Sequence, residues 1–562
     1  MNASPTMPPT PLETCDQMLA ELDAAKGRWA AMPPAERALL LRDCMPHVLE
    51  HADRWAATAC RVKGYDEGTG PHGEEFLAGT VPVMRNLRLY AEALEAGGEP
   101  RLPSVSRRPD GQWVARVFPQ NALDKAMFAG VSCDIWIEPG KDPTQGQIYR
   151  SKREGKGGTG AVCVVLGAGN QSSIGPMDVL YKLVVDDEVC IMKMNPVNEA
   201  LGPVIEDALR PLVDAGFLRI CYGGAEVGKH LTDHKLVHSI HITGSAAVHD
   251  AIVWGPGKAG EKAKKKGKPR LNKPITSELG AVSPLIIVPG DWSEAELHYH
   301  ARQAASMLAY NCGFNCNGVR LIICASGWPQ RDRFEALVRE KLAATPTRHA
   351  YYPTAKATWD AFTARYEHSE LGELTSDSAL PWTLLEGVKP ESEEFALTNE
   401  PWCGITSFVT LDARNALDFL AKVVPFCNDQ CWGTLSCNVF IHPSTEDQVG
   451  AAFDEAIAGL QYGGIAINCW SGLNYGLVNA TWGAFPGHPL DDIESGQGVV
   501  HNALLLDHPQ KSVVRAPFMM KPTPAWFTDH KNNIGLGRIM TSFESNPGWI
   551  RLPSVVFHAL RG

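Results

Sequence analysis

Asn311-Cys312-Gly313-Phe314-Asn315-Cys316 sets two thiols among amides and a glycine. An ionised thiol is the strongest ordinary side-chain nucleophile. Upstream, Ser277-Glu278-Leu279-Gly280 carries a carboxylate just before the apolar run Pro284-Leu285-Ile286-Ile287-Val288. That order predicts Glu278 in a turn leading into a strand, from which its side chain reaches a cleft. A carboxylate and a thiol held on separate elements can then face each other as base and nucleophile.

These motifs resemble the aldehyde dehydrogenase superfamily. Its nucleophile signature runs Asn-x-Gly-Gln-x-Cys, and Asn311, Gly313 and Cys316 fall at the matching places, with Phe314 where the Gln stands. Its base signature is Glu-Leu-Gly-Gly-Lys; Glu278, Leu279 and Gly280 match, Ala281 and Val282 do not, and Ser283-Pro284 follows as it often does in the family. The similarity spans roughly residues 25 to 510. It implies an α/β fold with a Rossmann-like coenzyme domain, an α/β catalytic domain and a small β oligomerisation hairpin. The corresponding boundaries are a disordered lead-in at 1–13 and a coenzyme-binding domain at 14–133 and 159–277. Oligomerisation segments follow at 134–158 and 488–517, with a catalytic domain at 278–487 and a C-terminal extension at 518–562.

Composition agrees with a multidomain enzyme. The chain has 562 residues, 44% hydrophobic and 20% charged, enough for two or three domains with cores of their own. A net charge of −11 argues against nonspecific nucleic-acid binding. Fifteen cysteines without a secretion signal read as reduced thiols in a cytoplasmic protein rather than a disulfide scaffold. No apolar run approaches the ~20 residues of a membrane span.

Along the chain, Met18, Leu19, Leu22, Ala25 and Trp29 recur at helical spacing, and Pro33-Pro34-Ala35-Glu36-Arg37 starts a helix expected to run to Pro46. Gln147-Ile148-Tyr149-Arg150 lies where the family places its hairpin, so the resemblance implies a homodimer or homotetramer. Ala161 to Leu166 reads as a buried strand feeding the Gly-rich turn Gly167-Ala168-Gly169-Asn170, where a backbone can approach a ligand. The next strand, Val189 to Lys193, ends on a Lys that needs solvent or a ligand for its ammonium. Gly223, Gly224 and Gly228 open a helix whose N-terminus suits a pyrophosphate.

The resemblance assigns roles to several of these positions. Cys316 is the nucleophile, Glu278 the general base, and Asn170 the amide that holds the oxyanion. Lys193, Gly224, Gly228, Gly244, Ser245, Leu279, Glu400 and Trp402 contact the coenzyme, with Lys193 on the adenosine ribose, Ser245 on a phosphate and Glu400 on the nicotinamide ribose. Many NAD-preferring members carry a Glu where this chain has Pro196, so NAD is expected with NADP open. His249 stands where a Gly is usual. Trp470, Trp482 and Phe485 are expected to line an apolar substrate tunnel.

Three other features invite rival readings. Cys312 with Cys316, and Cys427 with Cys431, have a spacing that suits zinc on a helix, but the loop-like surroundings and the family match favour no metal. His298 and His300 project to different faces of a helix and read as solvated. The basic stretch from 255 to 273 reads as a solvated loop. The activity implied is oxidation of an aldehyde to a carboxylic acid through a cysteine thioester. The alternatives are a relative that transfers the acyl group to coenzyme A and a catalytically silent binding or structural relative.

Overall fold

A computed structural model of the chain describes residues 7–562, and the lead-in expected at 1–13 lies partly outside it. Residues within that lead-in are anchored: the Met7 amide donates to Glu199 (3.0 Å), Thr10 hydrogen-bonds Tyr222, and a helix begins at Leu12.

Two large sheets organise the described residues. The smaller has six strands in the order Gly496–Gln497, Ile275–Leu279, Ser239–Gly244, Ala161–Leu166, Glu188–Lys193, Leu218–Cys221, all parallel except the first. Its central strands are apolar runs buried on both faces, as helix-covered parallel strands must be. Strand order reverses between Ala161–Leu166 and Ser239–Gly244, and ligands of open α/β sheets bind at the carboxyl ends of strands at such a switch.

The larger sheet has eleven strands. Its parallel centre runs Pro509–Arg515, Gly464–Ile467, Ser436–Phe440, Pro284–Ile287, Leu321–Ala325, Ile405–Leu411, Trp382–Leu385, with His368–Leu371 antiparallel at one edge. The other edge is Ser104–Arg107, Trp113–Phe118 and Ser132–Ile137, joined antiparallel to Pro509–Arg515. Residues 104–133, assigned from sequence to the coenzyme domain, therefore hydrogen-bond into the catalytic sheet instead.

Several local expectations change. The helix from Pro34 runs through Pro46 to Lys63, because a stripe of buried residues such as Leu41, Val48, Trp55 and Ala59 outweighs the one hydrogen bond a proline removes. Gln147–Arg153 is a helix and not a hairpin strand: Tyr149 donates to the Val184 carbonyl (2.5 Å) and Lys152 to Asp187 (2.7 Å), pinning the turn onto the smaller-sheet domain. His300 is fully buried among Trp292, Phe440 and Phe518, and burial pushes its pKa down to about 3; only His298 is exposed. The basic stretch forms the helix Gly257–Lys265, with most of its lysines at the surface. Residues 518–562 fold into the helices Asn533–Ser545 and Leu552–Ala559. Among the described residues no helix is long and apolar enough to cross a membrane.

Candidate active site

Cys316 follows a tight turn that closes the helix Glu294–Ala309. The helix starts at a capping box between Ser293 and Glu296, which fixes its register. At its other end Asn311 and Cys312 adopt left-handed backbone angles (φ 52° and 57°), each costing roughly 1–2 kcal/mol for a non-glycine residue. Gly313 continues with φ 78°, and a side chain there would press on the backbone of Cys403 and Gly404. Phe314 is buried against Tyr351 and Tyr352, ring centroids 4.8 and 4.9 Å away, so the aromatic in place of the family Gln serves packing.

A buried polar network holds the strained turn. The Asn311 amide nitrogen donates to Glu74 Oε2 (3.0 Å), and Glu74 accepts both guanidinium arms of Arg348 at 2.7 Å. Lys63 bridges Glu75 (2.7 Å) and Asn311 Oδ1 (2.9 Å). Arg320 donates to the carbonyls of Gly313 (2.6 Å), Asn315 (3.1 Å) and Cys403 (2.6 Å).

Cys316 is the one cysteine of the fifteen that is not fully buried. Cys312, its neighbour in sequence, donates instead to the Arg348 carbonyl (3.5 Å) in the core. Glu278 lies on the strand Ile275–Leu279, paired with Thr243 on one side and Gly496 on the other. It is thus a strand residue and not the turn residue expected, because Gly496–Gln497, from far along the chain, completes its ladder. Its carboxyl lies close enough to the Cys316 thiol and the Trp482 indole for both to oppose the rise in its pKa. Burial pushes Glu278 up to about 8, helped by the nearby carboxylates Asp178 and Glu400, and its Oε1 has no partner. Burial, Glu278 and Glu400 together hold the Cys316 thiol well above its ordinary pKa.

Asn170 ends the turn after Ala161–Leu166, and its side-chain amide donates to the Phe314 carbonyl (3.1 Å). It borders, with Cys316, Trp470, Tyr475 and Trp482, a cavity of about 300 Å³. Phe485, expected in that wall, instead sits 5.4 Å from the Lys511 ammonium.

Lys193, Gly244 and Leu279 end strands of the smaller sheet, and Gly224 and Ser245 follow shortly after two of its strands. Glu400 folds over Gly280, where a Cβ would collide with it. Burial raises Glu400 to about 7 and leaves Oε1 without a partner in the chain, an acceptor suited to a ribose hydroxyl. Gly224, at the N-terminus of the helix Ala225–Asp233, has open space where a side chain would be. Gly228 lies against the Lys193 stem. The Lys193 ammonium donates to the carbonyls of Gly223 (2.7 Å) and Met194 (3.1 Å), and burial lowers its pKa. Ser245 is exposed beside Gly244 and caps the helix Ala246–Val253. Leu279 is buried next to Glu278, and Trp402 packs edge-on to Tyr352. His249 is wholly buried, with its Nδ1 3.5 Å from the Asp250 carboxylate. A nicotinamide dinucleotide fits this donor set. Among the described residues the two cysteine pairs do not gather into a metal-sized cluster.

A model of the aldehyde dehydrogenase family matches residues 189–357, the span that contains Lys193, Glu278 and Cys316. Over that span the chain is similar to the aldehyde dehydrogenase family. Solved structures of similar fold include the aldehyde dehydrogenase KauB from Pseudomonas aeruginosa, 16% identical, covering 90% of this chain and 89% of that one with a TM-score of 0.61. A salicylaldehyde dehydrogenase from Pseudomonas putida is 15% identical over 92% of this chain and 93% of its own, TM-score 0.59. The NADP-dependent glyceraldehyde-3-phosphate dehydrogenase of Bacillus halodurans is 15% identical over 90% and 92%, TM-score 0.59.

Some residues around the candidate site were invisible from the motifs. Asp178 is buried, accepts from Thr243 Oγ1 (2.9 Å) and contributes to the field at Glu278. Tyr352 meets the Gly169 backbone and Trp402, close to Cys316 and Glu400. Glu74 and Arg348 belong to no local pattern in the sequence.

Proposed function

We propose that this chain oxidises an aldehyde to a carboxylic acid with a nicotinamide coenzyme, through a thioester on Cys316. The observation that carries it is the closeness of the Cys316 thiol, on the wall of a cavity, to the buried Glu278 carboxyl on a separate strand.

The aldehyde carbonyl enters with its carbon facing Cys316. Glu278, once ionised, takes the thiol proton as the sulfur–carbon bond forms. The negative charge then collects on the carbonyl oxygen, where the Asn170 amide stabilises it. Asn311 and Arg320 keep the turn rigid, so that geometry is set before reaction. A bound oxidised coenzyme supplies a positive ring that favours the thiolate and the acceptor for the two electrons and hydrogen leaving the substrate carbon. Glu400 would hold its nicotinamide ribose, Gly224 and Ser245 its phosphates, and Lys193 its adenosine ribose. Glu278 then releases that proton to solvent and takes another from water, which adds to the thioester; the acid leaves and Glu278 returns its proton to the thiolate. Near neutrality Glu278 is largely protonated in the free protein, so this base is available only as pH rises toward 8.

No free carboxylate stands at the adenosine-ribose end to exclude a 2′-phosphate: Pro196 is exposed and Glu199 is buried against the Met7 amide. Both NAD and NADP are therefore accepted. An aldehyde panel run with each coenzyme, with and without coenzyme A, tests the reading by following coenzyme reduction and the acyl product. Free acid supports it. An acyl-coenzyme A product points to the acylating relative, and silence with both coenzymes overturns oxidation altogether.

A further inference from the structure

Residues 518–562 form the outer wall of the cavity that ends at Cys316. The helix Asn533–Ser545 crosses the segment around residues 70–80 at backbone distance: side chains at Gly537 and Gly73 would collide with Phe76 and Asn533. Thr541 hydrogen-bonds Thr80 (2.9 Å), and Glu544 is buried between Arg85 (2.9 Å) and Arg88 (2.6 Å). This wall is therefore built into the fold. It presents Met520, Trp526, Leu536, Met540, Val555 and Ala559 to the cavity.

The cavity offers little to a charged substrate. Arg85, which borders it, spends every arm inside the protein, on Glu544, Asn479 (2.9 Å) and the Leu477 carbonyl (2.8 Å). Lys521 stands exposed on the strap that leads into the wall. A volume of about 300 Å³ is at the small end for ligand sites. At about 30 Å³ per water-sized group it holds roughly ten non-hydrogen atoms.

Building on the aldehyde-oxidation reading, we propose that residues 518–562 select an uncharged aldehyde with an apolar body of about that size, a medium-chain alkyl or aromatic aldehyde. The carbonyl sits at Cys316, and the far end of the apolar body lies against Met540 and Val555.

Binding and turnover separate this proposal from the one it rests on. Decan-1-ol, which cannot react with a thiol, is titrated into the full-length protein without coenzyme. Binding is read as protection of Cys316 from iodoacetamide, mapped by peptide mass. Decan-1-ol should protect, and ethanol at the same concentration should not. In turnover, kcat/KM should rise about fourfold per added methylene from propanal until the cavity is full. Val555→Trp should weaken decan-1-ol binding at least tenfold and shift preference towards propanal. Val555→Ala, which keeps the wall and enlarges the space, should shift it towards longer chains. Protection by decan-1-ol with no aldehyde oxidised would overturn the oxidation reading and leave the ligand class standing. Propanal turnover with no protection by decan-1-ol, or binding indifferent to both Val555 variants, would overturn the proposal made here.

Discussion

The Glu74 carboxylate accepts the backbone N–H of Asn311 at 3.0 Å while binding both arms of Arg348, so a helix near the start of the chain props the turn that presents Cys316. Asn311 and Cys312 are held in left-handed conformations there, which the turn alone would relax.

Glu74→Gln removes the charge that balances Arg348 in the interior. Breaking a buried ion pair typically costs about 3–5 kcal/mol. A clear drop in the thermal unfolding midpoint is expected, with Cys312 becoming open to alkylation as its turn loosens. An unchanged midpoint in scanning calorimetry would show that Asn311 is held by Lys63 and Tyr351 alone.

Labelling with iodoacetamide should modify Cys316 and spare the other fourteen cysteines of the folded protein, since these are buried. Its rate should climb as pH passes about 8, because Glu278 must ionise before it can accept the thiol proton. Peptide mapping across pH checks both statements. A label on Cys312 alone sinks the assignment of the nucleophile.

Glu278→Gln keeps the size of the side chain and removes its ability to take a proton. General-base help is worth ~10²–10⁴-fold, and steady-state oxidation should slow by about that range. One equivalent of reduced coenzyme is still expected in a burst if the thiolate forms without the carboxylate's help, and rapid mixing measures it. Near-normal acid production by the variant would mean another group activates water.

The same residue links stability to pH. Burial raises Glu278 from 4.5 to about 8 in the folded chain, so between those values the folded state holds a proton that the unfolded state has released. Its contribution is present at low pH and is lost as pH rises through about 8. Glu400, raised to about 7, acts in the same direction. Melting temperatures of the wild type should fall across this window more steeply than those of Glu278→Gln. Parallel curves would place the Glu278 charge in better contact with water than its burial indicates.

Coenzyme choice follows from Pro196 and Glu199. With Glu199 engaged by Met7, NADP should be turned over measurably alongside NAD. Strict NAD use at saturating levels would show that Glu199 swings free to meet the ribose. Deleting residues 1–7, which frees its carboxylate, should in any case lower NADP use relative to NAD.

Much of the architecture was legible in sequence because its determinants are local. Apolar runs such as Ala161–Leu166 and Glu188–Lys193 read as buried strands, and the Gly-rich turn after the first sits where a switch point needs close backbone approach. Glu278 and Cys316 were singled out through motif spacing, and the fold sets them near each other, with Cys316 on the cavity wall. Errors arose where a partner far along the chain overrode local preference. Tyr149 and Lys152 turned a strand-like stretch into a helix, and buried packing carried another helix through Pro46. The antiparallel ladder to Pro509–Arg515 drew residues 104–137 into the larger sheet.

By itself the sequence determined the α/β class, the resemblance to aldehyde dehydrogenases, and which thiol, carboxylate and amide to watch, because each is marked by residues adjacent in the chain. Only the tertiary structure decided how strongly those groups are perturbed, what props the turn beneath Cys316, and that residues 518–562 close the cavity. Glu74 and Asn311 lie 237 positions apart, and Arg85 and Glu544 lie 459 apart. Desolvation and ion pairing depend on what folds over a group, and chain packing alone brings such residues into contact.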